Sequence, residues 1–245
     1  MHRTRLHIAG RYDAETQLEL DADKSHYLYR VLRMRVGDRL SVFDGKGHEY
    51  NATISEIGKT HATLHIENRV SSDTESRLRV HLVQGISRGE RMDFVVQKAT
   101  ELGVKRITPV LTEYGVVKLD GARTEKRRDH WRKIAISACE QSGRLRLPRI
   151  DTPLPLNNWL GAKPKRVDME LILRPGAATA LADIDSPRTK VCVLVGPEGG
   201  FSETELEDAD IAGFQSVSLG PRVLRTETAA IAALTVLQSR WGDLR

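Results

Sequence analysis

Val191-Cys192-Val193-Leu194-Val195-Gly196-Pro197-Glu198-Gly199-Gly200 joins an uninterrupted apolar run to a glycine-rich turn. Five consecutive apolar residues without alternation predict a strand buried on both faces, as in a parallel sheet. A helix follows at once: Ser202 with Glu205 three residues on has the form of a capping box, and Leu206, Ala209 and Ile211 supply an apolar stripe. A strand that passes through glycine into a helix start offers backbone N–H groups to a ligand, and glycine lets the ligand approach closely. The same glycines would serve a purely structural tight turn, so this segment defines a strand–helix unit before it defines a function.

A second segment repeats the pattern. Ser216-Val217-Ser218-Leu219 reads as a short strand, and Thr226 to Leu237 as a helix without Gly or Pro. Gly220, Pro221, Arg222, Val223, Leu224 and Arg225 lie between them. Positive charge at a helix start opposes the macrodipole, and local conflicts of this kind gather at functional sites. Two loops of this form predict one pocket.

Working outward, strands alternate with helices from Leu78: Val80 to Gln84, a helix from about Glu90 to Leu102, Ile107 to Leu111, and a long helix from about Thr124 to Gln141. That order indicates an α/β domain with a largely parallel sheet over residues 78–245. In front of it, Leu40 to Phe43, a turn at Asp44 to Gly47, Tyr50 to Ile57 and Ala62 to Ile66 read as antiparallel strands of a small barrel, residues 1–70. The polar stretch at residues 71–77 is the linker. Asp23 to Arg35 reads as a helix starting at Asp23 or Ser25, with Tyr27, Val31 and Met34 inward and Arg30, Arg33 and Arg35 outward.

The 245 residues carry a net charge of +5, with 40% apolar and 29% charged residues, enough for an ordinary core. Residues 117–149 hold ten Lys or Arg against four acids, a local excess larger than that of the whole chain. Such a stretch suits phosphate contacts, although a solubilising helix face would look the same. No targeting or membrane signal is visible. Cys139 and Cys192, the only cysteines, sit in apolar patterns and are expected as buried free thiols in a reducing, cytoplasmic setting. His61 and His65 have a zinc-pair spacing but lie in a strand pattern, so no metal is expected. Neither a Gly-x-Ser-x-Gly nucleophile elbow nor a Gly-x-Gly-x-x-Gly dinucleotide fingerprint occurs.

The two loops, together with Ser87-Arg88-Gly89-Glu90-Arg91-Met92, Gln97 to Gly103, Ala138-Cys139-Glu140-Gln141-Ser142-Gly143-Arg144 and Arg30-Val31-Leu32-Arg33, resemble the bacterial 16S ribosomal RNA uridine-N3 methyltransferase family of the SPOUT superfamily. The resemblance extends to Trp241-Gly242-Asp243 and so covers almost the whole chain. It implies a trefoil-knotted α/β methyltransferase domain behind a small PUA-like β-barrel, a homodimer, S-adenosylmethionine as donor, and 16S ribosomal RNA in the small subunit as substrate. It further implies a donor site at Leu173, Arg174, Pro175, Gly196, Pro197, Glu198, Gly199, Gly200, Leu219, Gly220, Val223, Leu224 and Thr226. Arg222 and Arg225 are then candidates to stabilise negative charge on the base, Glu198 and Glu227 to take its proton, and Arg30, Arg33, Arg88 and Arg91 to bind RNA. A related enzyme acting on another RNA atom, such as a ribose 2′-hydroxyl or a guanine nitrogen, and a non-catalytic RNA-binding or ribosome-assembly module are the alternatives.

Overall fold

Alternating sequences can bury only one face of a sheet, and in the first part of the chain that face lines a single core. The computed structural model describes residues 4–115, 121–163, 167–184 and 189–244. The chain divides into two compact units, residues 1–75 with 139–147, and residues 76–138 with 148–245.

The first unit comprises β1 (Arg5–His7), β2 (Gln17–Leu20), α1 (Ala22–His26), a π-helical turn (Tyr27–Val31), β3 (Arg39–Phe43), β4 (Glu49–Ile57) and β5 (Ala62–Val70). The strand order is β1-β3-β4-β5-β2, antiparallel throughout except for the parallel pair β1–β3. Leu40, Val42, Ala52, Ile54, Leu64 and Ile66 bury their side chains against Leu28.

The helix expected over Asp23 to Arg35 is corrected. Asp21 is the N-cap, its carboxylate accepting from the Lys24 N–H at 2.8 Å, and the α-helix ends at His26. The wider π turn then rotates the register, so Leu28 points into the core while Tyr27 and Val31, expected inward, are 39% and 60% exposed. Arg33 adopts φ +53, a left-handed conformation uncommon outside glycine.

Cys139–Leu147, which periodicity assigns to the rear domain, packs in the first unit. The Leu145 carbonyl accepts from the Gly47 N–H, and the Leu147 N–H donates to the Gly45 carbonyl, adding a short rung beside the β3–β4 turn. Arg5 donates to the carbonyls of Cys139 and Arg144, and Arg144, 3% exposed, is paired with Glu75 at 3.0 Å.

The second unit comprises β6 (Arg79–Gly85), α2 (Arg91–Glu101), β7 (Arg106–Leu111), α3 (Gly121–Ser142, up to Ala138), β8 (Arg149–Ile150), β9 (Leu154–Pro155), α4 (Leu156–Ala162), β10 (Met169–Leu173), β11 (Lys190–Val195), α5 (Glu203–Ile211), β12 (Gln215–Val217) and α6 (Thr226–Trp241). The sheet is parallel, in the order β12-β10-β11-β6-β7-β8, with β9 also on β7. Along β11, Val191, Val193 and Val195 face a core with α2 and α6, while Cys192 and Leu194 face α4 and α5. Helices on both faces explain the unbroken apolar run of β11. Ile211, assigned to the apolar stripe of α5, is 85% exposed because that helix ends there.

Both cysteines are free and buried, and burial pushes the Cys139 thiol up to about 11. No described helix is long and apolar enough to cross a membrane. His65 lies on β5 beside Gln17 and Glu15, and among the described residues no three His, Cys, Asp or Glu side chains form a metal-holding group.

Candidate active site

Parallel strands end with their carboxyl termini on one edge of the sheet, where open α/β sheets bind their ligands. Here β12, β10 and β11 are neighbours, and their last residues Val217, Leu173 and Val195 all line one cavity of about 640 Å³. The loops leaving these strands complete its wall: Arg174 and Pro175, then Gly196, Pro197, Glu198 and Gly200, then Leu219, Gly220 and Arg222 to Thr226. Twelve of the thirteen expected donor-site residues are in that wall, Gly199 being the exception. A Cβ at Gly199 would lie 2.9 Å from both the Cβ and the carbonyl oxygen of Tyr114, so the absence of a side chain here admits a neighbouring loop. Gly200 and Gly220 have φ of +72 and +97 with nothing within 4 Å of a would-be Cβ, so at these two the turn itself requires glycine.

The capping box is present: Ser202 accepts from the Glu205 N–H, and the Glu205 carboxylate accepts from the Ser202 N–H at 3.0 Å. The other oxygen of Glu205 accepts from the Glu113 N–H at 2.8 Å, tying the Tyr114 loop to the glycine loop. Arg225 is the N-cap of α6 but makes no side-chain cap bond. Its guanidinium, like those of Arg174 and Arg222, is exposed and has no ion pair among the described residues.

Arg91, a candidate for RNA binding, lines the cavity and pairs with Glu198 at 2.5 Å, with Glu227 4.0 Å away. Glu198 also accepts from the Arg88 N–H at 3.1 Å. Burial alone would raise the Glu198 carboxyl, but its backbone and Arg91 hydrogen bonds outweigh that and hold it below the usual carboxylate range. Glu227 sits just behind the wall, in the first turn of α6, with Oε2 buried and lacking a hydrogen-bond partner. Arg30 and Arg33 are exposed on the first unit, Arg30 with its guanidinium 5.6 Å from the Tyr29 ring centroid, and the Arg88 side chain is exposed on the second.

Val195, Val217, Phe201, Glu203, Leu206, Ala229 and Arg91 also line the cavity and were not anticipated there. The rule that ligands meet the carboxyl ends of parallel strands would have found Val195 and Val217. Arg91 carries no local signal, because its partners lie 107 residues away and beyond.

Residues 74–238 match the RNA methyltransferase domain family, and residues 20–67 the RNA methyltransferase PUA domain. The ribosomal RNA small subunit methyltransferase E of Buchnera aphidicola (Schizaphis graminum) is 35% identical over 98% of this chain and 97% of its own. The chain belongs to this methyltransferase E family. Its namesake from Bacillus subtilis is 28% identical over 92% of this chain and 91% of its own. The Neisseria gonorrhoeae methyltransferase E, solved bound to S-adenosyl methionine, superposes over the full length of both chains with a TM-score of 0.92 and 38% identity. A Legionella pneumophila protein described as a methyltransferase, solved with its cofactor S-adenosylmethionine, does so with a TM-score of 0.95 and 40% identity. The family membership accounts for the pairing of a PUA-like front unit with a parallel-sheet α/β domain.

Proposed function

We propose that this protein transfers the methyl group of S-adenosylmethionine to N3 of a uridine in 16S ribosomal RNA, acting on the small ribosomal subunit as a cytoplasmic homodimer. In this proposal residues 1–70 form the RNA-binding domain, 71–77 the linker and 78–245 the knotted catalytic domain. The observation that carries it is the cavity at the ends of β12, β10 and β11, rimmed by three arginines without ion pairs among the described residues. The names of the full-length relatives and the ligand of the solved neighbours support the substrate and the donor.

The cavity fits the donor. Its volume of about 640 Å³ lies in the range of small-molecule sites, Leu173, Val195, Val217, Leu219 and Leu224 give apolar walls, and the open space at Gly200 and Gly220 exposes main chain. Bound there, S-adenosylmethionine supplies an electrophilic methyl group on a sulfonium.

The chain's own residues must then make N3 nucleophilic. The neutral imide is a poor nucleophile because its lone pair is delocalised into two carbonyls and N3 carries a proton. Arg222 and Arg225 can stabilise the negative charge that develops on the base as that proton leaves. A unit charge pair about 4 Å apart is worth about 1 kcal/mol in bulk water and about 4 kcal/mol at a partly desolvated surface, so exclusion of water decides how far the arginines help. Glu198 is a poor proton acceptor, since backbone hydrogen bonds and Arg91 hold its carboxyl below the usual range and so weaken it as a base. Glu227, with one carboxylate oxygen unused, is the better one.

The test is incubation with labelled S-adenosylmethionine and small subunits lacking the modification, followed by nucleoside mass spectrometry. Appearance of 3-methyluridine is expected. A different methylated nucleoside would replace the target, and subunit binding without transfer would make the chain a non-catalytic RNA-binding module.

A further inference from the structure

Gln84, next to last in β6, is fully buried, yet it is not in the wall of the cavity described above and lies outside every motif assigned above to the donor or the base. Its Nε2 donates to the Thr226 hydroxyl at 2.9 Å and to the Gly85 carbonyl at 3.0 Å, and reaches the Gly196 carbonyl at 3.5 Å. The Thr226 hydroxyl in turn donates to the Gly196 carbonyl at 2.6 Å. One side chain therefore joins the start of the first glycine loop to the first residue of α6, directly after Arg225. Gln84 Oε1 is buried without a hydrogen-bond partner. A buried orphan acceptor costs stability, so an apolar residue of similar volume would suit the core better and some other demand fits the amide to this place.

We infer that Gln84 is a positioning residue: its amide, through Thr226, locks the Gly196 and Arg225 loops into one geometry and so sets the affinity of the cavity for S-adenosylmethionine. This rests on the donor named above. The close approach at Gly85, where a Cβ would meet the Pro197 nitrogen at 2.5 Å, leaves the first loop little room on the β6 side. The amide link holds it on the other.

Calorimetric titration of S-adenosylmethionine into the full chain tests this, with thermal unfolding and amide exchange as companion readouts. In Gln84→Leu the melting temperature is expected to stay level or rise. Donor affinity should fall by about tenfold or more, the equivalent of one lost buried hydrogen bond. Exchange should quicken at residues 196–200 and 222–226 together. Thr226→Val should show the same loss, Thr226→Ser should restore affinity, and the double variant should lose no more than the worse single one. If Gln84→Leu fails to fold, Gln84→Met, of similar length and without the amide, takes its place. Donor affinity within twofold of wild type in folded Gln84→Leu or Thr226→Val would overturn the inference. If the wild type itself does not bind the donor while the variants still exchange faster in both loops, the donor proposal fails and the link stands. Unchanged exchange would sink the link as well.

Discussion

At the level of single residues, charge is visible in a sequence but pairing is not. Arg91, Arg144, Arg222 and Arg225 look alike on paper. In the fold Arg144 is a buried partner of Glu75 and Arg91 holds Glu198, whereas Arg222 and Arg225, like Arg174, line the cavity without an ion pair among the described residues. The expected outcome of Arg225→Ala is therefore a loss of single-turnover rate of roughly a hundredfold, in the range of other preorganised charge stabilisers, with donor affinity nearly unchanged. Rapid-quench measurement of methyl transfer at saturating donor checks this, and an unchanged rate would remove Arg225 from the chemistry. Positive charge at a helix start, where it opposes the macrodipole, was the sequence signal that singled it out; in the fold it is the N-cap of α6. Gly199 shows the converse: nothing in the sequence signals that Tyr114 packs against it.

Among the elements, those with strong periodicity were legible. β11, α2, α5 and α6 lie within a few residues of where composition puts them, because each buries a face dictated by its own pattern. The π turn at Tyr27–Val31 was not legible, since π and α hydrogen bonding draw on the same residues and differ only in how the next turn packs. β10 was seen only through its last residue, Leu173, and nothing in the apolar pattern of β6 marks the His81 side chain. That side chain sits between layers, its Nε2 2.7 Å from the Thr108 hydroxyl on β7, which donates to Asp151; Arg106 pairs with the same carboxylate at 2.5 Å. Burial, and then repulsion from Arg106, push the imidazole down from 6.5 to about 4. Between those values the unfolded chain binds a proton that the folded one refuses, so stability falls as pH drops through this window. From pH 7 to pH 5 the loss is expected to be roughly 2 kcal/mol by linkage, and His81→Gln should abolish most of it. Urea unfolding at the two pH values checks this. Asp151 adds a separate loss at lower pH: burial opposes its ionisation, but hydrogen bonds from Arg106 and Thr108 hold its carboxyl below the usual range.

For the whole molecule, the basic excess over residues 117–149 has to be discounted by what the fold uses. Lys118 and Asp120 lie outside the described residues. Arg144 is buried against Glu75, Arg128 is paired with Glu125 and Asp129, and Arg149 with Asp151. Four exposed cations on α3 have no ion pair among the described residues, Lys126 and Lys133 on one face two turns apart, with Arg127 and Arg132 flanking them. If these meet phosphates, each releases about 0.7 to 0.9 of a counterion, so replacing all four by Gln should flatten the log–log salt dependence of small-subunit binding by roughly 3 units. Donor affinity should be unaffected, because none of the four lines the cavity. Titrations of the subunit at several salt concentrations check this. An unchanged slope would make this helix surface a solvated one and move the electrostatic contribution to exposed arginines elsewhere, beginning with Arg30 and Arg33 on the front unit and Arg88 beside the cavity wall. A loss larger than four contacts can supply would mean that the substitutions disturb the seating of Trp131, fully buried on the same helix, and circular dichroism of the variant separates that case from a loss of phosphate contacts.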